Sequence, residues 1–295
     1  MLLRYIEPVF RPPSEWKSLI LQVTNGCSWN KCTFCDMYTA PQKRFRAQKL
    51  DKILEDIKVV ANTGQNITRV FLADGDAMSL PFERLEAICL LIQEHLPSVT
   101  RISSYCLPRN LKNKTSEQLT RLRELGLSLL YIGCESGDDE VLNRIEKGET
   151  YASSLTALLK IKAAGIKSSV MILNGLGGSG LSEQHAINSA RLMNAAQPEY
   201  LSTLVVTLPL GTERMDSAFD GHFSLPNQAE LFKEMHTLLG HLELERTIFR
   251  SDHASNYLVL KGTLGKDKPR LLAEVKQAIS NPLQTSLRKE WQRGL

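Results

Sequence analysis

Short apolar stretches rich in β-branched residues alternate with helical patterns along most of the chain, and this alternation limits the fold more than any other feature of the sequence. It is typical of βαβ units arranged around a parallel sheet. The stretches predict six strands, at residues 19–24, 69–73, 101–105, 129–133, 167–173 and 200–208. Because a closed eight-unit barrel usually needs about 250 residues, we expect an α/β fold with an incomplete, laterally open (β/α)6 TIM-like barrel.

The predicted barrel is flanked by a short segment before it and a longer one after it. We expect an N-terminal extension at residues 1–18, a barrel core at residues 19–211, and a C-terminal extension at residues 212–295 that closes the open side of the barrel. Helical patterns are predicted at residues 48–61, 81–95, 115–125, 138–146, 150–164, 182–195 and 268–280.

Polar residues and cysteines follow the predicted strands at the points where each strand ends. In parallel β/α folds the loops after the strands form the functional face. The residues concerned are the cysteine loop after the first strand, Asp74-Gly75-Asp76 after the second, Tyr105 at the end of the third, Glu135-Ser136-Gly137 after the fourth, and Asn174 with its glycine-rich run after the fifth. Their shared position predicts one functional rim.

Three cysteines, Cys27, Cys32 and Cys35, lie in the run TNGCSWNKCTFCDMY, directly after the first predicted strand. Thiolates are the usual ligands of Fe–S clusters, and close spacing lets one short loop bind one cluster. The other three of the six cysteines lie far along the chain. A cluster on this loop would therefore have three protein ligands and one iron open to another molecule.

Two other kinds of site remain open from the residues alone. A structural zinc site would need a fourth ligand, such as Asp36 or a distant histidine, because these sites are closed and tetrahedral. Cys32 and Cys35 alone could form a dithiol redox pair, although this leaves Cys27 unexplained. The triplet favours an Fe–S cluster over both.

Together, the cysteine loop and the residues of the rim resemble the radical SAM superfamily, in particular the core shared by oxygen-independent coproporphyrinogen oxidases and tRNA methylthiotransferases. The resemblance covers roughly Leu19 to Gly211. It implies that Cys27, Cys32 and Cys35 bind a 4Fe-4S cluster whose fourth iron binds S-adenosylmethionine (SAM). The spacing is a CX4CX2C variant, because four residues separate the first two cysteines where most members have three.

The same resemblance implies which residues contact the cofactors. Asp74-Gly75-Asp76 corresponds to the family's Gly-Gly-Glu motif, which meets the SAM amino group, and Lys147 corresponds to the basic residue that pairs with the SAM carboxylate. The full set is Phe34, Tyr38, Asp74, Gly75, Asp76, Glu135, Lys147, Met171, Leu173, Asn174 and Leu208. Taken singly, Asp-Gly-Asp is also an ordinary turn, and Lys147 could be a solvated surface residue.

Residues that meet the substrate are less well defined by the sequence. Tyr105 at the end of the third strand, and His253 and Asn256 in the C-terminal run RSDHASNY, are the candidates for catalytic residues. The dense polar and aromatic content of that run could close the open side of the barrel. A surface turn before the last helix explains the run equally well.

Composition limits the setting of the protein. The chain is 42% hydrophobic, its first residues carry charges and prolines rather than an apolar signal segment, and no apolar run reaches the ~18 residues of a membrane span. We therefore expect a cytoplasmic protein without membrane contact, in a reducing compartment that suits its cysteines. A net charge of +4 does not demand nucleic acid, and Lys43-Arg44-Phe45-Arg46 is a local basic and aromatic cluster whose simplest interpretation is a solvated loop.

The resemblance implies an oxygen-sensitive enzyme that cleaves SAM reductively and uses the 5′-deoxyadenosyl radical to modify a small organic molecule. It also implies a low-potential electron donor such as flavodoxin or ferredoxin. No second cysteine cluster is present that could supply sulfur for insertion. Modification of a peptide or tRNA, and a non-catalytic Fe–S or zinc-binding module, are the alternatives.

Overall fold

The structure is a computed structural model that describes residues 3–293. By its internal contacts the chain divides into two compact units. Unit 1 contains the residues up to Asn30, Met37–Ile132 and Leu159–Ser168, and unit 2 contains Lys31–Asp36, Gly133–Leu158 and the residues from Ser169 onward.

Strands and helices alternate as the sequence predicts. In chain order they are β1 (Leu19–Gln22), β2 (Thr24–Asn25), β3 (Arg46–Ala47), α1 (Leu50–Ala61), β4 (Arg69–Ala73), α2 (Phe82–His95), β5 (Arg101–Cys106), α3 (Ser116–Glu124), β6 (Leu127–Glu135), α4 (Asp139–Arg144), α5 (Tyr151–Ala163), β7 (Lys167–Asn174), α6 (Ser182–Ala196), β8 (Tyr200–Val205), α7 (Glu213–Ala218), α8 (Gln228–His241), β9 (Ile248–Ser251), β10 (Leu260–Thr263) and α9 (Lys268–Ser280). The six predicted β/α strands are β1 and β4 to β8.

In unit 1, four parallel strands are neighbours in the order β1, β4, β5, β6. Their apolar residues are buried on both faces, as expected for a parallel sheet covered by helices. The short strands β2 and β3 form a separate antiparallel pair. Helix α3 begins at a capping box, in which Thr115 and Gln118 satisfy each other's backbone N–H groups.

An aromatic cluster lies on one face of the unit 1 sheet. The rings of Phe71, Tyr105 and Tyr131 meet edge to face, with centroids 5.1 to 6.2 Å apart. Two residues of the N-terminal segment, Tyr5 and Val9, pack against this cluster, and the Tyr5 hydroxyl donates to the backbone oxygen of Ile20 (2.9 Å). The N-terminal segment therefore covers the face of the strands on which this cluster lies.

A buried carboxylate anchors the end of that segment. Glu15 accepts hydrogen bonds from Arg101 (2.9 Å to each oxygen), from Tyr131 (2.7 Å) and from Ser18. Burial alone would raise the pKa of Glu15, but the bonds from Ser18 and Tyr131 and the charge of Arg101 outweigh it and hold that pKa below its usual value. Glu15 is therefore an ionised, fully paired group in the folded protein.

In unit 2, β7, β8 and β9 are parallel neighbours, and β10 pairs antiparallel with β9. An apolar cluster joins the residues around α4 to those that follow β7 and β8. Its buried members are Val141, Leu142, Ile145, Leu173, Leu176, Val206, Met215 and Phe219. The elements α7, α8, β9 and β10 were not predicted individually within the C-terminal extension, whereas α9 was.

The prediction that the sixth strand extends to residue 208 is wrong, because β8 ends at Val205. Its partner strand β7 ends at Asn174, which is paired with Val205, and Gly175 then turns the chain away with φ +86°. Leu208 therefore has no strand to pair with and packs against the apolar cluster of unit 2 instead.

Replacing Arg101 with Met should lower the free energy of unfolding at pH 7 by about 2–3 kcal/mol, because the buried Glu15 carboxylate loses its cation. Since the pKa of Glu15 is lowered on folding, its stabilising effect is present above about pH 4.3 and is lost as pH falls through the folded-state pKa. The difference between wild type and variant should therefore shrink from pH 7 to pH 3, measured by urea unfolding.

Arg69→Met is the matched control, because Arg69 is exposed and has no ion pair within residues 3–293. It should change the free energy of unfolding by no more than about 0.5 kcal/mol. A difference for Arg101→Met that stays constant with pH would contradict the assignment of Glu15 as the group concerned.

Candidate active site

The loop after β2 carries three cysteines that are half-buried and not in disulfides. Cys27 belongs to unit 1, and Cys32 and Cys35 belong to unit 2. Within unit 2 the backbone N–H of Thr33 donates to the oxygen of Ile145 (3.0 Å), just after α4. The guanidinium group of Arg214 donates to the backbone oxygen of Cys35 (3.3 Å). The second half of the loop is therefore held at both ends.

The other three cysteines lie in the core. Cys89, Cys106 and Cys134 are each at most 2% exposed. Burial raises the pKa of Cys89 to about 12 and that of Cys134 to about 12, in each case reinforced by a neighbouring carboxylate. Because metal ligation requires a thiolate, these positions are poor candidates for ligands.

Asp74, at the start of the predicted Asp-Gly-Asp motif, is fully buried, and its carboxylate already accepts several hydrogen bonds from the protein. Its carboxylate accepts hydrogen bonds from the Lys43 ammonium, from the Tyr38 hydroxyl (3.1 Å) and from the Phe10 backbone N–H (3.4 Å). Burial raises the pKa of Asp74, and the opposing influence of Lys43 only partly offsets it. Lys43 is also fully buried and donates to the backbone oxygen of Ile6 (2.9 Å).

Asp76, two residues later, is equally buried but is only partly satisfied. One of its oxygens accepts a hydrogen bond from the Ser28 hydroxyl, whereas Oδ1 has no partner within residues 3–293. Burial raises the pKa of Asp76, against lowering contributions from Ser28, Asn110 and Arg109. A buried carboxylate oxygen without a partner is unfavourable unless a ligand donates to it.

Gly75, between these two aspartates, packs against the face of Tyr38. A Cβ atom at this position would collide with the Tyr38 ring. Glycine is therefore required for Tyr38 to reach Asp74. This places three of the predicted cofactor residues, Tyr38, Asp74 and Gly75, in direct contact within unit 1.

Glu135 and Lys147 form the corresponding charged pair in unit 2. Glu135 is the last residue of β6, where the backbone takes a left-handed conformation (φ +65°), and its Oε1 accepts from Lys147 Nζ (3.0 Å). Its second oxygen, Oε2, has no partner within the described residues. Gly133 leaves space for this carboxylate, because a Cβ atom on it would collide with Oε1 in the position it takes here.

Lys147 lies between this carboxylate and the cysteine loop. Burial would lower its pKa, but the charges of Glu135, Cys32 and Cys35 outweigh that effect and raise it. Its ammonium group is 6.0 Å from the centre of the Phe34 ring. Lys147 is therefore a buried cation rather than a solvated surface residue, and cations of this kind stabilise nearby thiolates.

The predicted adenosine-lining residues lie in or beside the apolar cluster of unit 2. Leu173 is a buried member, Phe34 and Leu208 pack against it half-buried, and Met171 is half-buried on β7. Their role in lining the cofactor stays a prediction.

The side chain of Asn174 donates to the backbone oxygen of Leu231 in α8 (3.0 Å). The next residue, Gly175, donates its backbone N–H to Glu234 (2.6 Å). The glycine-rich run that follows is therefore fixed to α8.

The predicted substrate residues are in three different environments. The Tyr105 hydroxyl has no hydrogen bond within residues 3–293. The side chain of Asn256 donates to the backbone oxygen of Thr203 in β8 (2.8 Å). His253 Nδ1 accepts from the backbone N–H of Ser255 (3.1 Å), and burial together with Arg288 lowers the pKa of His253, so a neutral ring with a proton on Nε2 is expected at pH 7. Their catalytic roles stay predictions.

Sequence reasoning missed several residues that organise the site. The sequence places Lys43 in a basic cluster whose simplest interpretation is a solvated loop, whereas its burial depends on Asp74, which is distant in sequence. His185 and Glu234 are buried in unit 2, where His185 Nε2 donates to the backbone oxygen of Leu173 (2.9 Å) and Nδ1 accepts from Ser136 (2.8 Å). The available signal was His185, which lies among apolar residues of the helix predicted at residues 182–195.

A family model of the Radical SAM superfamily matches residues 21–193, which is more than half of the chain. The protein therefore belongs to the radical SAM superfamily. It is an enzyme of this class, whose cofactors are a 4Fe-4S cluster and SAM.

Among curated proteins, the chain is similar to the heme chaperone HemW of Bacillus subtilis (strain 168), with 26% identity over 183 residues that cover 59% of this chain and 47% of HemW. It is also similar to 4′-phospho-dehydrooxetanocin synthase of Priestia megaterium, with 26% identity over 165 residues that cover 50% of this chain and 22% of that protein. The matches thus span less than half the length of these relatives.

Solved structures share the fold. Coproporphyrinogen III oxidase (HemN) of Escherichia coli has a TM-score of 0.55 at 16% identity, covering 76% of this chain and 52% of HemN. Methylornithine synthase (PylB) has a TM-score of 0.52 at 17% identity, covering 92% of this chain and 74% of PylB. At such identities the likeness concerns the fold alone, and it confirms the predicted α/β partial barrel.

The residues present fit the family's cofactors. Three thiols outside disulfides are the donor set of an Fe–S cluster, and Lys147 provides positive charge beside two of them. The unpartnered oxygens of Asp76 and Glu135 are acceptors suited to the donors of SAM. Between residues 3 and 293, no three His, Cys, Asp or Glu side chains are grouped as metal ligands.

None of the helices between residues 3 and 293 combines the length and the apolar character needed to cross a bilayer.

Asp74→Asn and Asp76→Asn should differ in stability although the residues are two positions apart. Asp74→Asn leaves the buried Lys43 ammonium without its anion and should cost about 3 kcal/mol of unfolding free energy. Asp76→Asn removes a buried charge with one unpaired oxygen and should change stability by less than about 1 kcal/mol. Urea unfolding of the two variants without cofactors measures both, and equal losses would contradict this assignment.

Proposed function

We propose that this radical SAM enzyme binds its cluster through Cys27, Cys32 and Cys35 and modifies a small organic molecule. The observation that carries the proposal is the buried Lys147 cation beside Cys32 and Cys35, paired with Glu135 at the end of β6. When bound, the cluster and SAM supply an electron and a 5′-deoxyadenosyl radical. The protein supplies position, charge and protection from water.

We assign the recognition of SAM to charged residues that follow β4 and β6. Asp76 Oδ1 would accept a hydrogen bond from the SAM amino group, because it is buried and has no partner within residues 3–293. Lys147, a buried cation that donates to Glu135, would attract the SAM carboxylate through its charge. Asp74 supports this arrangement by holding Lys43 and Tyr38, rather than by contacting SAM through its carboxylate.

The covered face of the unit 1 sheet favours a small substrate over a macromolecule. Tyr5, Val9 and Glu15 of the N-terminal segment cover the strands on which Tyr105 and Tyr131 lie. This leaves little room on that face for a folded RNA or a peptide. We place Tyr105, His253 Nε2 and Asn256 among the groups that contact the substrate. We also propose that the protein is cytoplasmic and that flavodoxin or ferredoxin is its electron donor.

The triple variant Cys27→Ala, Cys32→Ala, Cys35→Ala should fail to form 5′-deoxyadenosine. The test is anaerobic reconstitution with iron and sulfide, reduction with dithionite, and quantification of 5′-deoxyadenosine from added SAM. Wild type should bind four irons per chain, and the variant should lose both iron and product because thiolates are the cluster ligands.

Cys89→Ala is the matched control for that variant, because Cys89 is a buried core thiol. It should keep iron and product. Zinc in place of iron in the anaerobically purified wild type would overturn the proposal and favour a structural zinc module.

Asp76→Asn should weaken SAM binding about tenfold or more, since a charge-assisted hydrogen bond is replaced by a neutral one. Equilibrium dialysis of SAM against reconstituted protein measures the dissociation constant. Asp51→Asn, at an exposed position in the first turn of α1, should leave it unchanged. Equal affinities for Asp76→Asn and wild type would refute the assigned contact.

A further inference from the structure

The segment before β3 presents two arginines and a phenylalanine to solvent. Arg44 and Arg46 are exposed, and Phe45 is 37% exposed. None of the three side chains has an ion pair, hydrogen bond or ring contact with any of residues 3–293. These three residues are called the Arg-Phe-Arg patch below.

The patch lies beside the first cysteine of the loop. Strand β3 pairs antiparallel with β2, and Arg46 is directly opposite Asn25. Cys27 follows Asn25 by two residues. The patch and the first cysteine therefore lie at the two ends of the connection between the paired strands β2 and β3, within unit 1.

Hydrogen bonds and close packing from neighbouring residues fix the backbone of the patch. The side-chain amide of Asn25 donates to the backbone oxygens of Gln42 (2.7 Å) and Arg44 (3.0 Å). Lys43 is buried in its ion pair with Asp74. Gly26, at φ +70°, lies so close to the backbone oxygen of Lys43 that a Cβ atom there would collide with it. The backbone that carries the two arginines is therefore already ordered in the free protein.

A solvated loop requires none of this support. Arginine and aromatic residues are enriched at protein interfaces, and a surface that is already ordered has less conformational entropy to lose on binding. Two unpaired guanidinium groups flanking an exposed ring match a partner that has acidic side chains around an apolar centre. The arrangement is typical of a binding surface.

We propose that the Arg-Phe-Arg patch docks an acidic, low-potential flavoprotein of the flavodoxin type, which delivers the electron to the cluster. This rests on the proposed function, in which Cys27 is a cluster ligand. In the step, the anionic flavin hydroquinone loses one electron and becomes the neutral semiquinone without gaining or losing a proton. The oxidised 4Fe-4S cluster gains that electron.

The size of the patch favours a redox protein over a nucleic acid. Transient electron-transfer encounters bury small interfaces, below about 1,200 Å², and depend on charge steering. Nucleic-acid binding usually neutralises several phosphates, of the order of six to ten contacts. Arg44 and Arg46 supply two positive charges.

The test compares wild type with Arg44→Glu/Arg46→Glu and with Phe45→Ala. Binding of oxidised flavodoxin to the reconstituted protein is measured by flavin fluorescence at low and high salt. The double reversal should raise the dissociation constant about tenfold or more at low salt and remove most of its salt dependence. Phe45→Ala should weaken binding at both salt concentrations, because it removes apolar contact rather than charge.

The rate of 5′-deoxyadenosine formation is then measured with two reductants. With reduced flavodoxin the double variant should be slowed about as much as its binding is weakened, whereas with dithionite it should match wild type. Arg69→Glu is the control, because Arg69 is an equally exposed and unpaired arginine at the amino end of β4. It should leave both flavodoxin binding and both rates unchanged.

Unchanged flavodoxin binding in the double variant, or an equal loss in Arg69→Glu, would overturn the proposal. So would an equal loss of rate with dithionite, since the patch would then act on the cofactors themselves. Tighter, patch-dependent binding of an RNA oligonucleotide than of flavodoxin would also overturn it. If wild type makes no 5′-deoxyadenosine with dithionite, the proposed function fails, while the binding measurement still decides whether the patch docks the flavoprotein.

Discussion

The buried ion pair between Lys43 and Asp74 holds together three segments of unit 1 that are far apart in sequence. Lys43 comes from the segment between the cysteine loop and β3, and Asp74 comes from the turn after β4. Ile6 and Phe10 of the N-terminal segment complete the hydrogen bonds of the pair. Removing two such charges from water costs several kcal/mol, which the pair offsets only if its remaining donors and acceptors are satisfied. The position of each of the three segments therefore depends on the other two.

Unit 2 also contains a buried Lys–carboxylate ion pair, between Lys147 and Glu135, but a different backbone arrangement positions it. Glu135 reaches Lys147 because β6 ends in a left-handed residue and because Gly133 leaves space for the carboxylate. In this pair, as at Asp76, one carboxylate oxygen is engaged and the other is not. Fixed, partly satisfied charges are already oriented before a ligand arrives, and this preorganisation is how proteins recognise a zwitterion such as an amino acid without reorganising.

Periodicity was sufficient to predict the six β/α strands, apart from the end of the sixth, because buried strands and amphipathic helices have strong local patterns. Features set by long-range partners were not predictable in this way. The burial of Lys43 is decided by Asp74, and the end of β8 is decided by Gly175, which follows the last residue of its partner strand β7. Helix α8 had a usable local signal, the capping box of Asn227 and Glu230, whereas β9 and β10 are too short for periodicity to reveal.

Burial of the three core cysteines separates the thiols of this protein into two chemical populations. With pKa values of about 12, Cys89 and Cys134 are almost wholly protonated and enclosed at neutral pH, and Cys106 is equally hidden from solvent. Alkylating reagents and oxidants can therefore reach only the three half-buried loop cysteines in the native state. The number of thiols that react with iodoacetamide under native conditions becomes a direct count of unoccupied ligands among the three proposed ones, without any knowledge of the substrate.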